Sequence, residues 1–156
     1  MQLLGHRKQT LLFEPGRYIV ANAGVLVSTV IGTKNNEGKD FAIIDAAMND
    51  LIRPALYQSW QKVELLKPSA GARRTYDLVG PVCETGDFLA KGRDLSLNEG
   101  DRVAIHSSGA YGFVMSSNYN SRNRAAEIMV DGSHFHEVRA RETIEDQLRL
   151  ESLLPN

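Results

Sequence analysis

Four short groups of residues in this sequence carry side chains capable of chemistry. Glu14-Pro15-Gly16-Arg17 closes a short apolar run. Pro-Gly alone reads as a turn. The same residues also suit an anion. Gly lets the backbone approach closely, successive N–H groups can face a phosphate, and Arg adds charge. Glu14 is then free to pair with a cationic group. Arg53 and Tyr57 stand four apart, so on a helix they share a face. That spacing serves either an Arg stem packed on a Tyr ring or a paired clamp for a carboxylate. Cys83-Glu84-Thr85-Gly86-Asp87 holds the single cysteine. A lone Cys is generally a small buried hydrophobe, but among polar residues a thiol can be exposed and exchange its proton. Glu84 beside it can accept from an ammonium group. Ser107-Ser108-Gly109-Ala110-Tyr111-Gly112-Phe113 is either a bulge or tight corner, or a Gly-flanked Tyr lying against a planar ligand.

Other chemistry is not encoded. His134 and His136 alternate, as two metal ligands on a strand can, yet no third ligand accompanies them, so no metal site is expected. Neither a Gly-x-x-x-x-Gly-Lys-Ser/Thr nor a Gly-x-Gly-x-x-Gly pattern occurs, which argues against a nucleotide loop. No Ser/His/Asp or Cys/His arrangement follows from spacing.

The elements that must position these residues are mostly strands. Thr10-Leu11-Leu12-Phe13 predicts a short buried strand. Residues 18–24 either extend a strand or form a short helix opening at Gly16. Residues 25–31, rich in Val, Thr and Ile, predict a strand. A polar loop over 34–39 leads to a return strand over 41–45. Asn49 or Asp50 is positioned to cap a helix over 51–60, with Pro54 limiting its regularity. Further strands are predicted at 63–66, 76–82 and 103–106, the last fed by the turn Asn98-Glu99-Gly100-Asp101. Asp131-Gly132-Ser133 between two apolar runs predicts a hairpin. A helix over 143–154 has capping-box spacing at Thr143 and Asp146. The sum is a mainly β domain, a barrel or sandwich with short helices.

Composition narrows the field. At 156 residues the chain suits one domain, and is too short for a (β/α)₈ barrel of about 250 residues. Its formal net charge of −1 argues against a nucleic-acid partner. One cysteine excludes a disulfide framework and fits a reducing compartment. The first residues, Met1 to Lys8, place charge after apolar residues, the reverse of a secretory leader, and no apolar run approaches a membrane span. A cytoplasmic protein without a membrane partner is expected.

Taken in order, the motifs resemble the C-terminal part of the diaminopimelate decarboxylase family, within the fold-type III enzymes that use pyridoxal 5'-phosphate. The resemblance runs from about Phe13 to Leu150. It rests on Glu14-Pro15-Gly16-Arg17, on Asp45-Ala46-Ala47-Met48-Asn49-Asp50-Leu51-Ile52-Arg53-Pro54-Ala55-Leu56-Tyr57, on Gly80-Pro81-Val82-Cys83-Glu84-Thr85-Gly86-Asp87, on Gly109-Ala110-Tyr111-Gly112-Phe113 and on Ser116-Ser117-Asn118-Tyr119-Asn120-Ser121-Arg122. Thr85 stands where Ser is more usual, and Asn123 where Pro is common.

The resemblance implies a (β/α)₈ barrel followed by a β domain, in a homodimer with shared active sites. It implies decarboxylation of meso-2,6-diaminopimelate to L-lysine. Carried over by motif, Glu14 faces the pyridine nitrogen, and Gly16 and Arg17 hold the cofactor phosphate, Arg17 also lying near a substrate carboxylate. Tyr111 lies by cofactor and substrate. Arg53 and Tyr57 clamp the distal carboxylate, Glu84 reads the distal ammonium, and Cys83, reaching the neighbouring subunit's site, donates the proton that replaces the lost carboxylate. Residues 1–24 are expected to be the end of the barrel and residues 25–156 the β domain. No lysine here lies in a motif matching the family's cofactor-bonding lysine, so this chain alone is expected to be inactive. A separately encoded barrel half, a sister decarboxylase for another diamino acid and a non-catalytic dimerisation partner are the alternatives. The Arg53–Tyr57 pair argues against substrates lacking a distal carboxylate, such as ornithine.

Overall fold

A computed structural model describes residues 9–155. Six strands form one sheet in the order β3-β6-β1-β2-β4-β5. They are β1 (Leu26–Asn36), β2 (Lys39–Ile44), β3 (Val63–Leu65), β4 (Arg73–Val79), β5 (Phe88–Ser96) and β6 (Arg102–Ile105). β1 and β2 are joined by Glu37 and Gly38, with φ of 51° and 82°, the left-handed pair that a tight hairpin requires. The predicted loop over 34–39 thus shrinks to two residues because both strands run on into it. β2 pairs with β4 in parallel, and every other neighbour pair in this sheet is antiparallel.

The edge strands β3 and β5 come back toward each other. Arg93 on β5 donates to the Gln61 carbonyl just ahead of β3 (3.1 Å). The result is a nearly closed barrel, the β class predicted. Side chains two apart point to one face, so Ala42 and Ile44, Tyr76 and Leu78, and Val103 and Ile105 enter a core with Val30, Leu51 and Leu89. Burying each large aliphatic chain contributes about 1.5–3 kcal/mol.

The strand predicted at residues 10–13 does not form. A strand needs a partner for its N–H and C=O groups, none pairs there among the described residues, and Leu12 and Phe13 are exposed. Of the two readings of 18–24 the helical one holds, as α1 (Arg17–Val20) and a 3₁₀ turn over Ala21–Ala23. β5 was not predicted. Gly92 (φ 63°) bends it, and a register shift between Tyr76 and Leu78 faces it across the ladder. The helix expected over 51–60 is α2 (Arg53–Tyr57), with Pro54 in its first turn. Asp50 does not cap it. Its carboxylate instead accepts from Ala47 N–H (2.9 Å) and closes a turn.

β7 (Glu127–Asp131) and β8 (His134–Arg139) form the predicted hairpin, standing as a separate sheet. Asp131 pairs with His134, so the turn residues are Gly132 and Ser133. Ile128, Met129, Val130, Phe135 and Val138 are exposed on it, as are His134 and His136. α3 (Ile144–Leu148) opens on the capping box of Thr143 and Asp146 but stops short of the predicted end. The following Leu150, Leu153 and Leu154 find no cover. No helix among the described residues is long and apolar enough to cross a membrane. Residues 1–8, read above as no leader, lie outside the described residues.

Candidate functional site

The chain leaving β2 is fixed at Asp45. Its carboxylate accepts from Ser28 Oγ (2.6 Å) and Thr29 N–H (2.8 Å), and Ser28 Oγ accepts from Ala46 N–H (3.0 Å). Desolvation is the largest single influence and pushes its pKa up, but these hydrogen bonds together hold it below 3.8. Arg122 then reaches back over the same stretch. Its Nε donates to Asn49 Oδ1 (2.8 Å) and a terminal nitrogen to the Asp45 carbonyl (2.6 Å), 3.6 Å from Asp50. Ser117 N–H donates to the Asn49 carbonyl (2.9 Å), while Asn49 Nδ2 donates to the Ser117 carbonyl (3.3 Å). These bonds strap residues 117–122 onto residues 45–50. Sequence reasoning assigned Arg122 no role, because a structural hub and a solvated Arg look alike in a polar loop.

α2 presents Arg53 and Tyr57 on one face. The Arg53 guanidinium lies 4.9 Å from the Tyr57 ring centre and 5.5 Å from that of Tyr111. Arg53 Nε is buried with no hydrogen-bond partner among the described residues. Tyr111 takes the left-handed backbone (φ 57°), as does Ser107 (φ 56°), a strain of about 1–3 kcal/mol each that the surroundings must hold. The Tyr111 hydroxyl lies against Gly16, where an added β-carbon would stand 3.1 Å from it.

The segment carrying Gly16 is docked by backbone. Ser108 N–H donates to the Gly24 carbonyl (2.9 Å), Gly109 N–H to the Ala21 carbonyl (3.0 Å) and Ser107 Oγ to Asn22 Oδ1 (2.7 Å). Two glycines permit this approach, since a β-carbon on Gly24 would fall 2.5 Å from Gly109 Cα. Glu14 is exposed and Arg17 half-buried. Neither forms an ion pair among the described residues. Four predicted site residues, Gly16, Arg53, Tyr57 and Tyr111, are therefore brought together.

Cys83 and Glu84 form a second group. Their loop is held by the buried Asp87, whose carboxylate accepts from Met48 N–H (2.7 Å) and Val82 N–H (2.9 Å). Desolvation raises its pKa above 3.8 against those bonds. Gly80 is required beside it, since a β-carbon there would collide with that carboxylate and lie 2.7 Å from Ala47 Cα. Cys83 is exposed. Glu84 Oε1 accepts from Gly86 N–H (3.1 Å) and Oε2 from the Tyr119 hydroxyl (3.1 Å). The Gly86 bond first, and the Tyr119 bond second, hold the Glu84 carboxyl below its ordinary value. A depression of about 240 Å³ beside the pair is lined by Met48, Asn49, Ile52, Glu84, Ser117 and Tyr119. No hydrogen bond or ring contact among the described residues joins Glu84 to Arg53, Tyr57 or Tyr111.

Residues 17–109 match the family model described as the pyridoxal-dependent decarboxylase, C-terminal sheet domain. The chain belongs to this family. A diaminopimelate decarboxylase of Pseudomonas aeruginosa is 66% identical over 149 residues, covering 96% of this chain and 36% of that protein. One of Vibrio cholerae is 64% identical over 150 residues, with the same shares. The crystal structure of diaminopimelate decarboxylase from Helicobacter pylori complexed with L-lysine superposes with a TM-score of 0.82 at 43% identity, covering 88% of this chain and 34% of that one. The chain thus spans about a third of the length of the relatives it matches. The family's cofactor is pyridoxal phosphate. The residues present fit part of such a group. Gly16 leaves bare backbone beside Tyr111, and Arg17 has no ion-pair partner among the described residues.

Proposed function

We propose that this chain is the C-terminal portion of a cytoplasmic diaminopimelate decarboxylase, which converts meso-2,6-diaminopimelate to L-lysine and carbon dioxide. The observation that carries the reading is Arg53, stacked between Tyr57 and Tyr111 with its buried Nε unpartnered. A guanidinium held so is prepared for a planar anion, and a substrate carboxylate supplies one. The similarity to diaminopimelate decarboxylases across nearly the whole chain supports the same substrate.

Pyridoxal phosphate supplies the electron sink for carbon–carboxylate cleavage. Gly16 and Arg17 would hold its phosphate, Glu14 would pair with its protonated ring nitrogen, and Tyr111 would line its site. Arg53 and Tyr57 orient the substrate by its far carboxylate, Arg17 lies near a substrate carboxylate, and Glu84 accepts from the far ammonium. Cys83 holds at Sγ the proton that the product carbon receives. Residues 1–24 complete a lysine-bearing barrel, joined to this chain or made separately, and residues 25–156 form the β domain. Two copies pair so that Cys83 and Glu84 serve the neighbour's site.

The test is turnover by the complete enzyme, barrel included. Expected are carbon dioxide and L-lysine from meso-diaminopimelate, little turnover of ornithine, and a fall of at least about thirtyfold in kcat/KM for Arg53→Met. Preference for ornithine, or an unaffected Arg53→Met enzyme, overturns the reading.

A further inference from the structure

Tyr119 belongs to no role assigned above. It is 45% exposed, so it is not a core residue, and its ring lies in a segment of irregular backbone. Asn120 and Ser121, directly after it, both take positive φ (58° and 55°). The segment is nonetheless fixed from both sides. Ser117 is bonded to Asn49, and Arg122 to Asn49 and the Asp45 carbonyl. This places the Tyr119 hydroxyl 3.1 Å from Glu84 Oε2.

Glu84 has only one other fixing bond among the described residues, from Gly86 two residues on, to its other oxygen. A Glu side chain at an exposed loop position has several rotamers of similar energy. The Gly86 bond restrains one oxygen but leaves the carboxylate plane free to turn. A second donor on the opposite oxygen fixes both reach and plane. Each carboxylate oxygen has a second lone-pair site, so a cation can still be received. The partner of Tyr119 is thus a group that acts only when correctly aimed.

We propose that Tyr119 is a positioning residue that aims the Glu84 carboxylate at the second ammonium of the substrate and thereby sets selectivity for a diamino over a monoamino dicarboxylate. This rests on the substrate reading proposed above. The Tyr119 bond also helps to hold Glu84 ionised, and Glu84 in turn raises the phenol's own pKa, so the hydroxyl stays a donor.

The experiment uses the complete enzyme and Tyr119→Phe, which keeps the ring and deletes only the donor. KM for meso-diaminopimelate is expected to rise roughly three- to tenfold with kcat within about twofold. The acid limb of kcat/KM is expected to move to higher pH, because Glu84 regains part of its ordinary pKa. Inhibition by 2-aminopimelate, which has both carboxylates but no second amine, should be unchanged. In a Glu84→Gln background the Tyr119→Phe change should add nothing further. An unchanged KM and acid limb, or equal weakening of both ligands, overturns the proposal while leaving the substrate reading intact. A wild-type enzyme inactive on meso-diaminopimelate overturns both.

Discussion

Asp87→Ala removes the acceptor of two backbone donors, Met48 N–H at 2.7 Å and Val82 N–H at 2.9 Å. Asp87 is 3% exposed, so the freed N–H groups meet little water. Each such donor left unsatisfied costs about 1–3 kcal/mol. Part of that is returned, because the buried carboxylate is itself poorly solvated, as its raised pKa records. A net loss of about 2–4 kcal/mol remains, which in the complete enzyme, nearly three times the length of this chain, lowers Tm by roughly 2–5 °C. Asp87→Asn keeps one acceptor and turns an NH₂ toward the other donor, so it also destabilises, by about 1–3 kcal/mol. Thermal unfolding followed by far-ultraviolet circular dichroism on the complete enzyme reads both. The loop from Gly80 to Asp87 hangs on these bonds, so backbone hydrogen exchange at Met48 and Val82 should rise in the same variants. An unchanged midpoint with unchanged exchange would refute the claim that this carboxylate holds the Cys83–Glu84 loop.

Two further outcomes are expected. Gly109→Ala would drive a β-carbon into the Val20 carbonyl. It should cost about 1–3 kcal/mol and raise hydrogen exchange at the Ser108 and Gly109 N–H groups, and protection equal to wild type would show that α1 docks otherwise. Asp45 has its folded pKa below 3.8, so its stabilising contribution is present above that value and is lost as pH falls through the lowered one. Urea midpoints taken from about pH 5 to pH 2 should therefore fall more steeply for wild type than for Asp45→Asn, and parallel curves would remove Asp45 from that role.

Much of this arrangement is legible in the chain wherever a local signal decides the structure. Thr143 and Asp146 state their own helix start, and the turn beside Asp131 states its own hairpin. Arg53 and Tyr57 are set on one face by spacing alone. What stays hidden depends on partners far along the chain. The apolar run at residues 10–13 reads as a strand because its side chains fit one, but sheet membership is decided by a neighbour, and none is provided among the described residues. β5 fails the opposite test. Lys91, Gly92 and Arg93 interrupt its apolar alternation, yet Asp77 on β4 accepts from Gly92 N–H (2.7 Å) and steadies the bend. Tyr119 and Arg122 stand in the sequence only as members of a matching motif, with no role attached. Their work lies in which atoms they reach, 35 residues away at Glu84 and 73 away at Asn49.

The single parallel pairing of the sheet, β2 with β4, has a bearing on when the binding face exists. Parallel neighbours cannot be joined by a tight turn and require a long crossover. Here the crossover carries Arg53 and Tyr57, and its two ends are brought into register only when β4 docks beside β2. Closing so long a connection costs chain entropy before any contact repays it. The Arg53–Tyr57 contact spans one helical turn and is local, but Tyr111, the second ring beside Arg53, comes from beyond β6. Arg53 gains the Tyr111 ring only once the chain beyond β6 has docked, so a chain that has not closed presents only half of the clamp to a ligand.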